Sequence, residues 1–482
     1  MNITKATNFR WVMCAMLFAA TTVNYLDRQV LSLTWADFIA PEFHWTDTHY
    51  GNITGWFSLL YACAMLFAGR FIDWCGTKKG YAWAITIWSV GACLHALCGL
   101  GTRLWVNAFS DGAILSDKMA MIQASGNVAL MITSVSVWFF IIARFVLAVG
   151  EAGNFPAAIK VTAEYFPKKD RAFSTAIFNA GAQIGPLIAP LTIPLIAQKY
   201  GWEMAFIIIG ALGFIWMGVW LLLYAKPEQN KHVNEAELEY IHQDDIAEGK
   251  AIVKEEKKEK SSGIFKCLKH KQTWAFAVGK FMTDGVWWFF LFWTPAYLSS
   301  VYGYSTASVE SRWAIFVLYA ITMISLVGGY LPTYFVNKKH MHPFNSRMRS
   351  MLIFAFFPLL ALFAQPLGTY SYWFPIIIIG IVGAAHQSWS ANIFSTVGDM
   401  FPKRDIATVT GIGGMAGGLG CFLVNTTSGR LFDFAEATNM QFMGFEGKPA
   451  GYFIIFCFCA VAYLIGWIIM KSLVPQYKPI EE

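Results

Sequence analysis

Long apolar runs limit this chain more than any other feature. A helix needs about 20 apolar residues to cross a bilayer, and inside the bilayer only helices or closed barrels satisfy their own backbone polar groups. Twelve stretches are long enough: 11–39, 48–73, 81–101, 131–163, 171–198, 202–225, 273–301, 311–336, 350–367, 370–398, 406–433 and 450–473. The first is too long for the apolar core of a cleavable signal peptide and runs into charged residues without a small-residue cleavage site, so it is expected to persist as a span. Only 14% of the residues are charged, against about 25% in soluble domains. The composition therefore predicts an all-α membrane protein embedded in a lipid bilayer. The net charge of +6 is read as Lys and Arg of the loops, with no nucleic-acid partner implied. The nine cysteines lack paired metal-ligand spacing and are read as small core residues, so no metal is expected.

Basic residues set the expected orientation. Lys5 and Arg10, Lys78 and Lys79, Lys168, Lys169 and Arg171, Lys338 and Lys339, Lys403 and Arg404, and Lys471 all fall on one side, while the alternate loops 40–50 and 368–372 have no Lys or Arg. The positive-inside rule then places both termini in the cytoplasm. Residues 226–271 are polar, with the run Lys254–Lys260 and a helical pattern at 234–248, and read as a cytoplasmic linker dividing the spans six and six.

Two internal repeats support that division. Glu164-Tyr165-Phe166-Pro167-Lys168-Lys169-Asp170-Arg171-Ala172 recurs 235 residues later as Asp399-Met400-Phe401-Pro402-Lys403-Arg404-Asp405-Ile406-Ala407. Gly69 with Lys78-Lys79 recurs 260 residues later as Gly329 with Lys338-Lys339. The two offsets differ by about the length of an outward-facing stretch at 102–130, which reads as an insertion. The expected organisation is an N-terminal six-helix half (1–225), a linker (226–271) and a C-terminal six-helix half (272–482), related by pseudo-symmetry around a site at mid-membrane.

Charges inside spans are costly, each about 2.5–3.5 kcal/mol on insertion scales, and so mark function. Asp27 and Arg28 lie inside the first span, about 100° apart around a helix. Arg144 and Glu151 in span four are seven apart and return to nearly one face, as an internal salt bridge or as part of a site. Arg can bind a carboxylate with two parallel bonds. A carboxylic acid in a low-dielectric cavity favours its neutral form and can carry a proton. Tyr25 and Tyr61 offer hydroxyls beside these charges, or pack as plain aromatics. The 235-residue offset maps Glu151 onto His386, which opens His386-Gln387-Ser388-Trp389-Ser390-Ala391-Asn392. Those polar groups suit sugar hydroxyls, or join helices as hydrogen-bonding glue. The 260-residue offset maps Asp27 and Arg28 onto Trp287 and Trp288. Lys280 and Asp284 precede them at the spacing of an i,i+4 pair, with Asp284 the stronger site candidate. The glycines 411, 413, 414, 417, 418 and 420 of span eleven suit a moving interface or tight static packing.

Gly69, Asp73 and Lys78 lie in a loop, Gly69-Arg70-Phe71-Ile72-Asp73-Trp74-Cys75-Gly76-Thr77-Lys78-Lys79, that resembles the signature of the major facilitator superfamily. Arg144-Phe145, Gly150 to Lys160, Phe166-Pro167-Lys168-Lys169, Phe178-Asn179-Ala180-Gly181, Trp287-Trp288-Phe289 and His386-Gln387 together resemble its anion:cation symporter branch, and within that the hexuronate transporters. The 102–130 insertion departs from the usual short loop, and Thr333 stands where the first copy has Asp73.

The resemblance implies a major facilitator fold of twelve helices in a bacterial-type inner (plasma) membrane, working as a monomer by alternating access. It implies no enzyme activity and no cofactor beyond a coupling proton. The implied function is import of a sugar acid, glucuronate or galacturonate. The resemblance implies that Arg28 engages the substrate carboxylate, and the reading of the residues themselves adds Tyr25, Tyr61, Trp288, His386, Gln387 and Asn392 as substrate-binding candidates. Asp27 and Glu151 would carry the proton, with Arg144 tuning Glu151, and Gly69, Asp73 and Lys78 would gate the cytoplasmic side. Other anions (aldonate, aldarate, phosphate), sodium as the coupling ion, and a membrane sensor stand as alternatives.

Overall fold

The computed structural model describes residues 6–110, 114–244, 263–325 and 330–480. Long helices dominate it. In chain order they are α1 (Phe9–Thr34), α2 (Asp47–Cys75), α3 (Thr77–Phe109), α4 (Gly126–Glu151), α5 (Asn154–Tyr165), α6 (Lys168–Tyr200) and α7 (Trp202–Leu223). There follow the short α8 (Glu235–Ile241), then α9 (Lys271–Tyr302), α10 (Val309–Thr322), α11 (Leu331–Lys339) and α12 (Pro343–Phe356). The chain ends with α13 (Trp373–Met400), α14 (Lys403–Ala437) and α15 (Lys448–Leu473). Among the described residues, ten helical stretches are long and apolar enough to cross a membrane. The other two expected spans fall on α9 and on the stretch holding α10 and α11. That stretch includes 326–329, outside the described residues, as are Gly329 of the repeat and the charged run of the linker. α9 is long enough, but Lys280 and Asp284 lie inside it and several of its apolar positions are Trp and Tyr, which hydropathy scales rank low.

Helix crossings are close where small residues meet. α1 packs along α6, α2 along α14, and α9 along the other side of α14. Gly418 of α14 faces Ala62 of α2 and Gly420 faces the Phe281 carbonyl of α9, so a side chain at either would strike the neighbour. The glycine-rich stretch thus serves two interfaces at once. Three prolines at four-residue spacing, Pro186, Pro190 and Pro194, lie inside α6, where each removes a backbone donor. Membrane helices tolerate this because neighbours satisfy the freed carbonyls.

Hydrogen bonds tie both chain ends to one face, here the terminal face. Thr7 bonds Asn234 ahead of α8, and the Ile480 amide donates to the Met400 carbonyl. The buried Glu237 of α8 accepts from the amides of Phe9 and Arg10 (2.9 and 3.0 Å) and pairs with the Arg10 guanidinium (3.1 Å), capping the start of α1. Burial alone would raise the Glu237 carboxyl; the Arg10 amide, the Thr7 hydroxyl and the Phe9 amide outweigh that and hold it below its usual value of 4.5. The repeat's two acids make matching contacts at this face. Glu164 accepts from Thr77 at the start of α3 and from Tyr224 just past α7. Asp399 pairs with Arg347 of α12 (2.8 Å), and its carbonyl accepts from Tyr477 beyond α15.

The opposite face is closed. Asp47 of α2 pairs with Lys448 of α15 (2.7 Å), and Asp433 of α14 accepts the amides of Asp47 and Thr48. Asp37 accepts from Ser299 and Thr306, and the Tyr50 hydroxyl donates to the Phe292 carbonyl. Within the 102–130 insertion, where 111–113 lie outside the described residues, Lys118 bridges Glu42 and Glu203 (2.7 and 3.0 Å).

Candidate functional site

Between these faces lies a cavity of about 640 Å³. On one wall are Tyr25 and Arg28 of α1 and Tyr61 of α2; facing them are Trp287 and Trp288 of α9 and His386 and Gln387 of α13. It runs toward the terminal face past Thr175, Lys280 and Thr410, each within three turns of the start of its helix, and stops on the other side at Pro186, Leu291 and Cys421.

Arg28 is the best-defined group in this wall. Its Nε donates to Glu151 Oε2 at 2.8 Å, and both side chains are buried. Its guanidinium lies 4.4 Å from the Tyr61 ring, 4.7 Å from Tyr25 and 5.5 Å from Trp288. Three helices thus supply aromatic faces to one cation, and a fourth supplies the carboxylate. Asp27, one residue earlier, points away as helix geometry requires: it is fully buried and does not line the cavity. It interacts electrostatically with Glu151, Arg144 and Arg28. With both acids ionised, the two acids and two bases carry no net charge, which limits the cost of taking four charges out of water.

The structure corrects one expected pairing. Glu151 bonds Arg28, and the Arg144 guanidinium lies over the Phe57 ring at 5.0 Å instead. Seven residues restore the helix face but separate the two side chains by about 10 Å along the axis.

The second wall is aromatic and polar. The His386 ring stacks on Trp287 (5.5 Å between centroids, 9° between planes), and its Nδ1 is 2.6 Å from the Tyr463 hydroxyl, so two neighbours fix its orientation. Gln387 and Ser390 line the cavity, but Asn392 does not. Asn392 donates to the Ser388 carbonyl at 2.8 Å and lines a separate cavity of about 320 Å³ beside Arg347. Five residues past Gln387 it has turned about 140° around α13. Lys280 and Asp284 of α9 form an ion pair of 2.7 Å, and both line the main cavity.

Gly69, Asp73 and Lys78 lie at the terminal face, outside the cavity. Asp73 pairs with Lys160 of α5 at 3.0 Å, the Lys78 carbonyl accepts from Trp220, and nothing stands near Gly69 where a side chain would project. The cavity also has a polar stripe, Thr175, Asn179 and Gln183 of α6, of which only Asn179 falls in a motif named from the sequence. Polar residues at every fourth position of an otherwise apolar helix were its signal.

A helical membrane protein with a central cavity sealed at one face has the architecture of a carrier. Residues 17–425 match the Major Facilitator Superfamily, and the chain belongs to that family of membrane transporters. It is 27% identical over 479 residues to the hexuronate transporter of Escherichia coli K12, covering 98% of this chain and 96% of that one. It is 27% identical over 331 residues to the galacturonate transporter of Dickeya chrysanthemi, covering 69% and 84%. Among solved structures it resembles an inward-facing, occupied bacterial homologue of the human lysosomal transporter Spinster (TM-score 0.66, 17% identity, covering 98% and 99%). It also resembles a D-xylose–proton symporter (TM-score 0.65, 14% identity, covering 98% and 100%).

Proposed function

We propose that the protein imports a sugar acid, a hexuronate such as glucuronate or galacturonate, by proton symport. The observation that carries this reading is Arg28, held at the cavity wall by three aromatic rings and already bonded to a carboxylate. A substrate carboxylate can take the place that Glu151 holds. When Glu151 accepts a proton its claim on Arg28 weakens, and the guanidinium is free to bind the substrate with two parallel bonds. Proton binding and anion binding then favour each other, as symport requires. Trp288 offers the apolar face of the sugar a stacking surface, and Gln387, Ser390, Asn179 and Gln183 offer hydroxyl partners. Asp27 is the second proton site, coupled to the first through Arg144.

The terminal face is the cytoplasmic one in this reading, and the two six-helix halves rock about the cavity in an inner membrane, each monomer working alone. The Asp47–Lys448 pair and the Asp433 cap of α2 seal the outer side and break when the carrier turns outward. The kinship to E. coli and Dickeya hexuronate and galacturonate transporters supports the substrate class. A second reading, an aldarate substrate, has support from 26% identity over 319 residues to a probable galactarate/D-glucarate transporter.

The test is uptake of labelled glucuronate by proteoliposomes, with and without an imposed inward proton gradient. Gradient-driven accumulation is expected. Uptake indifferent to the gradient rejects proton coupling, and normal uptake by Arg28→Ala rejects the carboxylate role.

A further inference from the structure

The sugar-acid reading leaves one charged feature of the cavity unused. Lys280 and Asp284 form a 2.7 Å pair whose two members both line the cavity. They stand one and two turns from Trp288 along α9, on the terminal side, so Arg28, Trp288, Asp284 and Lys280 follow one another down the cavity. Lys280 and Trp288 are about 12 Å apart along the helix axis. Asp284 is only about 6 Å from Trp288 along that axis, and this shorter step suits a six-carbon acid whose carboxylate is on Arg28 and whose far end reaches the pair at Asp284.

We infer that the Lys280–Asp284 pair receives the hydroxyl end of the substrate and thereby selects acids with one carboxylate over those with two. The inference rests on the sugar-acid reading. A pair of this kind has no net charge to offer a second carboxylate, and a carboxylate brought to Lys280 would also approach the oxygens of Asp284. Hydroxyls suit it well, because the ammonium donates to them and the carboxylate accepts from them. Rejection of the dicarboxylate is thus a repulsive element built beside the attractive one. The pair is also well anchored. Asp284 sits against the bare backbone of Gly417 in α14, where any side chain would strike its carboxylate, and the Lys280 ammonium lies 4.4 Å over the Phe394 ring.

The experiment is uptake of labelled glucuronate by proteoliposomes containing the full chain, with unlabelled glucuronate or galactarate as competitor. Wild type is expected to be inhibited much more weakly by galactarate. Asp284→Asn frees the charge of Lys280, so galactarate should gain about tenfold in competing strength relative to glucuronate, the worth of one charge-assisted contact. Lys280→Gln leaves Asp284 unopposed and should move the ratio the other way, so either variant alone tests the inference. An unchanged ratio in whichever variants reconstitute overturns it, as does a wild type that takes galactarate as well as glucuronate while still transporting sugar acids. Failure of both variants to fold also overturns it, since the pair would then serve the fold. A wild type that takes up labelled glucuronate and labelled galactarate equally poorly instead defeats the sugar-acid reading itself.

Discussion

Arg28 and Lys280, the two cations among the residues lining the cavity, are each held by a carboxylate at almost the same distance, 2.8 and 2.7 Å. They differ in what the bond joins. Arg28–Glu151 links α1 to α4 across 123 residues of chain, whereas Lys280–Asp284 closes within one turn of α9. A bond between two helices can be exchanged for a bond to substrate, and its loss can alter how those helices sit. A bond within one helix moves rigidly with that helix. The first has the geometry of a coupling device and the second that of a fixed recognition element. The aromatic surroundings agree with this division: Arg28 is enclosed by rings from three helices, while Lys280, also buried, has the one ring of Phe394.

The sharpest break in this comparison is Arg28→Ala. It removes the carboxylate-binding group and leaves Glu151 buried without its partner, which costs about 3–5 kcal/mol for a buried pair. Uptake of glucuronate should fall by about a hundredfold or more, and Arg28→Lys should restore little of it because an ammonium cannot make the two parallel bonds. Initial uptake rates measure both. Glu151→Gln should act differently. Exchange of internal for external substrate persists, but uptake driven by a pH gradient falls by about tenfold; a variant still driven by the gradient would remove Glu151 from the coupling path. Lys280→Gln should leave coupling intact and weaken half-saturation for glucuronate by about threefold to tenfold, the worth of one hydrogen bond. If it abolished gradient-driven uptake, the division of labour between the pairs would be wrong.

A change remote from both pairs sets the baseline. Glu237→Gln loosens the cap on α1 and should lower the unfolding temperature by about 1–3 °C with transport unchanged. The Glu237 carboxyl is held below its usual 4.5, first against burial, by the Arg10 amide and its neighbours. Its contribution is therefore complete above that value and is lost as pH falls through the lower folded value. The wild-type and variant unfolding temperatures should converge as acidification carries the pH through that lower folded value.

Tyr25, Arg28, Tyr61, Trp288, His386 and Gln387, which the sequence singles out, do line the cavity. The seven-residue spacing of Arg144 and Glu151, however, suggested a partnership that the fold does not make, since sharing a face does not place two side chains at one height. Asn392 adjoins His386 and Gln387 in sequence, but helical rotation turns it onto another cavity. The polar stripe of α6, three residues at four-residue spacing, was legible in principle and was hidden by the three prolines and small residues of the same helix.

Run length and charge composition are local properties, so they determined by themselves that the chain crosses a membrane and that Asp27, Arg28, Arg144 and Glu151 are costly enough to require a purpose. The i,i+4 pair of Lys280 and Asp284 was readable from spacing, but which acid answers which base between different helices was decided only by the tertiary structure. Ion pairs form between side-chain tips, and those positions depend on where α1, α2, α4 and α9 converge. Sequence spacing along one helix reports direction around its axis. It says nothing about which other helix lies opposite.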